Sequence, residues 1–181
     1  MRIIAAATKP TAENEECLAT IEAAGYEIER YLLVGDLDYG DLLARLWDEG
    51  ETFLNIEHDI YGVMPEIVAE FANCPEEWCS SPYDYFNKSA KGRPGGGLGC
   101  TKFGAKLMAR WPEAMETARQ LPCTGHPIGH WCVMDLTIYR VLRRGGLYAS
   151  EWPAERHQTH TEVRHRLGVA SHVGCCNRVE A

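Results

Sequence analysis

The chain has 181 residues, 45% hydrophobic and 24% charged, with a formal net charge of −8. This is the composition of one ordinary globular domain, long enough to bury about 70% of its unfolded surface without help from disulfides. No apolar run approaches the ~18 residues of a membrane span, and neither a disordered tail nor a collagen-like repeat fits such a composition.

Arg2–Thr8 predicts a buried first strand, closed by Lys9-Pro10. Met1–Thr8 itself lacks the longer h-region and cleavage site of a signal peptide, so a cytoplasmic chain with reduced thiols is expected. Thr11 or Asn14 caps a helix that runs through Ala24 and ends at Gly25. Glu29–Val34 predicts a second strand, followed by the acidic turn Gly35-Asp36-Leu37-Asp38. Leu42, Leu43, Leu46 and Trp47 recur at helical spacing within Tyr39–Asp48, which Gly50 terminates. Thr52–Ile56 predicts a third strand. This β-α-β-α-β order argues for an α/β fold with a mostly parallel sheet flanked by helices, and for ligands at the carboxyl ends of its strands.

Beyond that half the pattern is less regular. Pro65 opens a helix through Phe71, Cys74–Phe86 is an irregular strand or loop, and glycine-dense Lys88–Gly99 is a loop. Thr101–Arg110, Pro112–Gln120 and Trp131–Arg144 read as helices, and Thr161–Leu167 as a final strand.

The strongest chemical signal is Phe53-Leu54-Asn55-Ile56-Glu57-His58-Asp59, a hydrophobic strand running into an acid-x-acid triplet. Two carboxylates so placed can hold a hard divalent cation with open positions, which in turn can bridge phosphate oxygens. Acidic turns after strands also arise for purely local reasons. The same holds for Asp36 and Asp38, which can bond a ribose or a pyrimidine imino hydrogen, or else satisfy their own backbone. Asp135 lies in the apolar stretch Trp131–Tyr139, sharing a helical face with Ile138 and Leu142. A carboxylate there is either a cap or a poised base. Of the late histidines His157, His160, His165 and His172, His165 shares strand parity with Val163 and is the best candidate ligand. The eight cysteines lack paired CxxC knuckles, which argues against a structural zinc site.

In order along the chain, this set resembles the GT-A family of nucleotide-sugar glycosyltransferases. Glu57-His58-Asp59 is similar to the acid-x-acid metal motif, and Gly95-Gly96-Gly97-Leu98-Gly99 to the glycine-rich acceptor loop. Asp135 matches the general base of inverting members, and His165 the C-terminal metal ligand. The stretch Phe53–Phe103 is similar to small bacteriophage-type transferases. The triplet begins with Glu where the pattern has Asp, and Met134 stands where an acid usually precedes the base. The resemblance implies a single GT-A-like domain over 1–181, with a nucleotide-binding half at 1–61 and an acceptor half at 62–181. It also implies Mn2+ or Mg2+ on Asp59, assisted by Glu57 (directly, or through water or ribose) and His165. A UDP- or GDP-linked sugar would be held by Thr8, Lys9 and Asp36 or Asp38, with Glu57 alongside.

The implied acceptor is a hydroxyl on a carbohydrate, a small molecule or a hydroxymethylated base in phage-like DNA. Trp78, Tyr83 and Trp131 would offer it ring faces. Residues 1–101 carry 7 Lys+Arg against 19 Asp+Glu, whereas 102–181 carry 11 against 7. Lys102, Lys106, Arg110, Arg140, Arg143 and Arg144 could thus form a basic face toward an anionic acceptor. A metal-dependent hydrolase or nuclease, and a non-catalytic zinc-stabilised binding module, are the alternative readings.

Overall fold

Strand β1 (Arg2–Ala7) is central, because its Ile3, Ile4, Ala5 and Ala6 are buried on both faces. A computed structural model of the chain describes residues 1–81, 98–122, 127–130, 134, 137–138 and 140–142, and the backbone alone at 158–159 and 164–165. Helix α1 (Ala12–Ala23) starts at Thr11, whose extended backbone and side-chain acceptor for the Asn14 N–H (3.2 Å) settle which residue caps it. Gly25 follows with φ 91°, a left-handed turn that a β-carbon would strain. Strand β2 (Glu29–Leu32), helix α2 (Asp38–Glu49) and strand β3 (Phe53–Glu57) complete the predicted alternation. β1 pairs in parallel with β2 on one side and β3 on the other.

Right-handed crossovers dictate where the helices lie. The chain moves one way from β1 to β2 and the opposite way from β2 to β3, so α1 and α2 fall on opposite faces. Two cores result. Cys17, Leu18 and Ile21 of α1 pack with Ile3, Ala5, Leu54 and Ile56 on one face. Leu42, Leu43, Leu46 and Trp47 of α2 pack with Ile4, Ala6, Phe53 and Phe103 on the other. Helical positions 138 and 142, the apolar partners of the Asp135 face, belong to this second core.

The second half departs from expectation. After the short strand β4 (Ile60–Tyr61), helix α3 (Pro65–Asn73) and strand β5 (Trp78–Ser80) comes strand β6 (Cys100–Phe103), where the sequence predicts the start of a helix. β6 lies between β3 and β5 and runs antiparallel to both. All four of its residues are buried, so it shows no period-2 alternation, and the polar Thr101 and Lys102 at its centre disguise it further. Only after Gly104 does α4 (Ala105–Arg110) begin, followed by α5 (Ala114–Gln120). Strands β7 (Gln158–Thr159) and β8 (Arg164–His165) pair with β5 and β4 respectively. The fold is α/β, and its six-stranded sheet, β2-β1-β3-β6-β5-β7, is mixed. Among the described residues, no helix is long and apolar enough to cross a membrane.

Lys102 does not join a basic face. Its register opposite Leu54 and Cys79 sends it to the α1/α3 side of the sheet, whereas Leu107 and Met108 fix α4, with Lys106 and Arg110, on the other. There Nζ donates to the carbonyls of Phe71 (3.2 Å) and Cys74 (2.7 Å) at the end of α3. Helix C-termini leave such carbonyls without partners, and a cation satisfies both need and dipole. Lys102→Met is therefore expected to lower stability by about 1–3 kcal/mol. A urea midpoint equal to the wild type's would refute this role. Trp78, proposed as an acceptor platform, is 3% exposed and belongs to the second core, so it is unavailable for stacking. Tyr83 and Trp131 lie outside the described residues.

Candidate functional site

Parallel pairing brings the carboxyl ends of β1, β2 and β3 to one edge of the sheet. The strand order reverses between β1 and β3, and the region outside the strand ends at such a switch point is the usual ligand position in open α/β sheets. Thr8 and Lys9 leave β1 there and are exposed. Glu57 leaves β3 directly opposite Ala6 of β1 and is half-buried, while Asp59 is 8% exposed.

The turn after Glu57 is held from α1. Asn14 points inward, and its Nδ2 donates to the carbonyls of Glu57 (3.1 Å) and Ile60 (2.8 Å). The Thr11 hydroxyl donates to the His58 carbonyl at 3.4 Å. The residues that begin α1 thus also fix the acid-x-acid triplet.

A second network fixes the Glu57 side chain. Its Oε1 accepts from the Tyr39 hydroxyl at 2.5 Å. Tyr39 stands in the first turn of α2 and is 5% exposed. Asn55, on the same face of β3, donates Nδ2 to the Tyr39 oxygen (2.9 Å) and to the Leu98 carbonyl (2.7 Å). Glu57 N–H donates to the Gly99 carbonyl at 2.8 Å. One hydrogen-bonded chain therefore links the segment after β2, the exit of β3 and the end of the glycine-rich stretch. Sequence reasoning gave neither Tyr39 nor Asn55 a role. Asn55 carried the available signal, since an amide inside a buried strand is costly unless bonded.

The two acidic-turn residues separate in role. Asp38 Oδ2 accepts the N–H groups of Val34 and Gly35, each at 2.8 Å, and these bonds hold its carboxyl below the usual range. Asp38 thus satisfies its own turn, the local alternative to nucleoside binding. Asp36 is 73% exposed, with His130 Nε2 3.8 Å from its Oδ2. Beside it Leu32, Val34 and Leu37 expose apolar surface.

The register of β4 with β8 sets His165 opposite Ile60, one residue past Asp59, so the late chain returns to the exit of β3. Asp135 lies outside the described residues, as do Gly95, Gly96 and Gly97. Among the described residues, no three His, Cys, Asp or Glu side chains form a metal-holding group. The oxygens of Glu57 and Asp59 are a hard donor pair, which suits Mg2+ or Mn2+ held jointly with phosphate oxygens. The buried cysteines serve packing: desolvation raises the Cys17 and Cys79 thiols and pushes Cys100 up to about 12. On the α1 side of the same edge, a pocket of about 210 Å³ is lined by Ala5, Ala7, Asn14, Leu18, Arg30 and Leu32.

No protein-family model and no curated protein matches the chain. Among solved structures it is similar to A197 from STIV, with a TM-score of 0.40 and 10% identity, covering 90% of this chain and 83% of that chain. A likeness this remote carries no argument about function.

Proposed function

We propose that the chain is a metal-dependent glycosyltransferase of GT-A type, moving a sugar from a nucleotide diphosphate to a hydroxyl. The observation that supports the reading is the switch in strand order between β1 and β3, whose carboxyl ends share one edge of the sheet. Thr8 and Lys9 follow β1 and Glu57 ends β3 at that edge, Asp59 comes two residues later, and Tyr39 at the start of α2 bonds Glu57. Asp36, whose carboxylate is not spent on local backbone, bonds the ribose or base of UDP or GDP beside the apolar surface of Leu32, Val34 and Leu37. Thr8 and Lys9 hold the nucleoside from the β1 side. Asp59 and Glu57, with His165, hold Mn2+ or Mg2+. A divalent cation held there would supply the positive charge that a departing diphosphate needs. Asp135 accepts the proton of the attacking hydroxyl, which implies inversion at the anomeric carbon. With Lys102 turned to the opposite face of the sheet, the case for an anionic acceptor weakens, and a neutral carbohydrate or small molecule stands ahead of modified DNA.

The test is a panel of UDP- and GDP-sugars with Mn2+, offered a neutral glycoside and hydroxymethylated duplex DNA. Transfer to either acceptor, lost by ~10²-fold or more in Asp135→Asn with donor binding retained, is the expected result. Phosphodiester cleavage without sugar transfer would replace this reading with a hydrolase.

A further inference from the structure

We infer that Tyr39 is a positioning residue that couples nucleotide binding at the Asp36 turn to cation binding at Glu57. This inference rests on the proposed donor site and adds a residue and a property to it.

The direction of every proton in the network is fixed. Asn55 must present its amide nitrogen, not its oxygen, to the Leu98 carbonyl at 2.7 Å, so the same nitrogen also donates to Tyr39 Oη at 2.9 Å. The tyrosine oxygen is thereby an acceptor toward Asn55, and its single proton goes to Glu57 Oε1 at 2.5 Å. Asn55 is fully buried and Tyr39 nearly so, and a charge-assisted bond in such surroundings is strong. Glu57, at the water-facing end of the chain, has one oxygen pinned and its rotamer set.

Position gives this bond its consequence. Tyr39 lies three residues after Asp36 and adjoins Asp38, whose carboxylate ties it to Val34 and Gly35. Any ligand that orders the Asp36 turn therefore orders the start of α2, and with it the tyrosine that orients Glu57. A cation that engages Glu57 acts on the same tyrosine from the other side. Two ligands that each stabilise one arrangement of a shared element bind cooperatively, and the coupling is reciprocal.

A tyrosine elsewhere supplies the control. Tyr31 also donates to a glutamate, Glu29, at 2.9 Å, but at the edge strand β2, where Arg2 holds the same carboxylate. The experiment measures Kd for UDP and for GDP by calorimetry, with and without Mn2+, in wild type, Tyr39→Phe, Tyr31→Phe, Glu57→Gln and the Tyr39→Phe/Glu57→Gln double variant. In the wild type, Mn2+ is expected to tighten binding by ~5- to 150-fold. Tyr39→Phe is expected to cut that factor below about threefold, Tyr31→Phe to leave it, and the double variant to match Glu57→Gln alone. Loss of fold stability alone would weaken binding with and without Mn2+ equally and leave the ratio unchanged. A wild type whose binding ignores Mn2+ overturns the donor-site reading and this inference with it. A wild-type factor preserved in Tyr39→Phe overturns the inference and leaves the donor site standing.

Discussion

Asp59→Asn is expected to retain the fold and to lose the cation-dependent part of UDP and GDP binding, by ~100-fold or more. Groups that only orient a metal's ligands typically change affinity by about 10- to 100-fold, so loss of a carboxylate proposed to touch the ion lies at or beyond that range. The substitution is nearly isosteric, and Asp59 is 8% exposed, so the amide fits the same space. The near-identical shape of the amide is expected to hold the melting temperature while function falls. Calorimetry with and without Mn2+, beside thermal denaturation, separates these outcomes. Unfolding without a selective loss of the Mn2+-dependent component would make Asp59 a structural carboxylate.

The first half of the fold was legible in the sequence because each element is punctuated by its own chemistry. Thr11 begins α1, Gly25 and Gly50 follow helices at positive φ, and the apolar residues of α2 sit on one face. Parallel pairing followed from the β-α-β-α-β order. The failure at Thr101–Arg110 has a definite cause. A central strand buried on both faces loses its alternation, and at four residues β6 is too short to reveal a period. Lys102 then read as an exposed cation, although a lysine can bury its stem when carbonyls wait at the far end.

The candidate site was legible in part. Local sequence located the strand exit at Glu57 and the acidic turn at Asp36, because both follow from strand ends. Which aspartate of the turn satisfies its own backbone depended on coordinates, since Asp36 and Asp38 are equivalent in composition and differ in hydrogen bonding. Tyr39 only opens the predicted α2 segment, and its hydroxyl partner Glu57 lies eighteen residues on. No spacing rule connects a helix start to the exit of the next strand. Only the crossover that folds α2 over the sheet does so.

Asn14→Ala is expected to have the largest structural effect of the polar substitutions near the site, about 2–4 kcal/mol. The amide reaches two carbonyls, Glu57 O and Ile60 O, that bracket the acid-x-acid turn, and the residue is 2% exposed. Each buried acceptor left without a donor costs about 1–3 kcal/mol. Asn14→Asp should be worse at neutral pH, because it sets a carboxylate against the same two oxygens. The sign reverses if the aspartate is protonated, so this variant should regain stability as pH falls, unlike the alanine variant. Both should weaken Mn2+-dependent nucleotide binding, since the turn that carries Asp59 then loses the two amide bonds that tie it to α1. Urea denaturation at two pH values, paired with calorimetry, reads both effects. Should Asn14→Ala lose stability yet bind nucleotide and Mn2+ as the wild type does, the Asn14 amide stabilises the fold and has no part in forming the site.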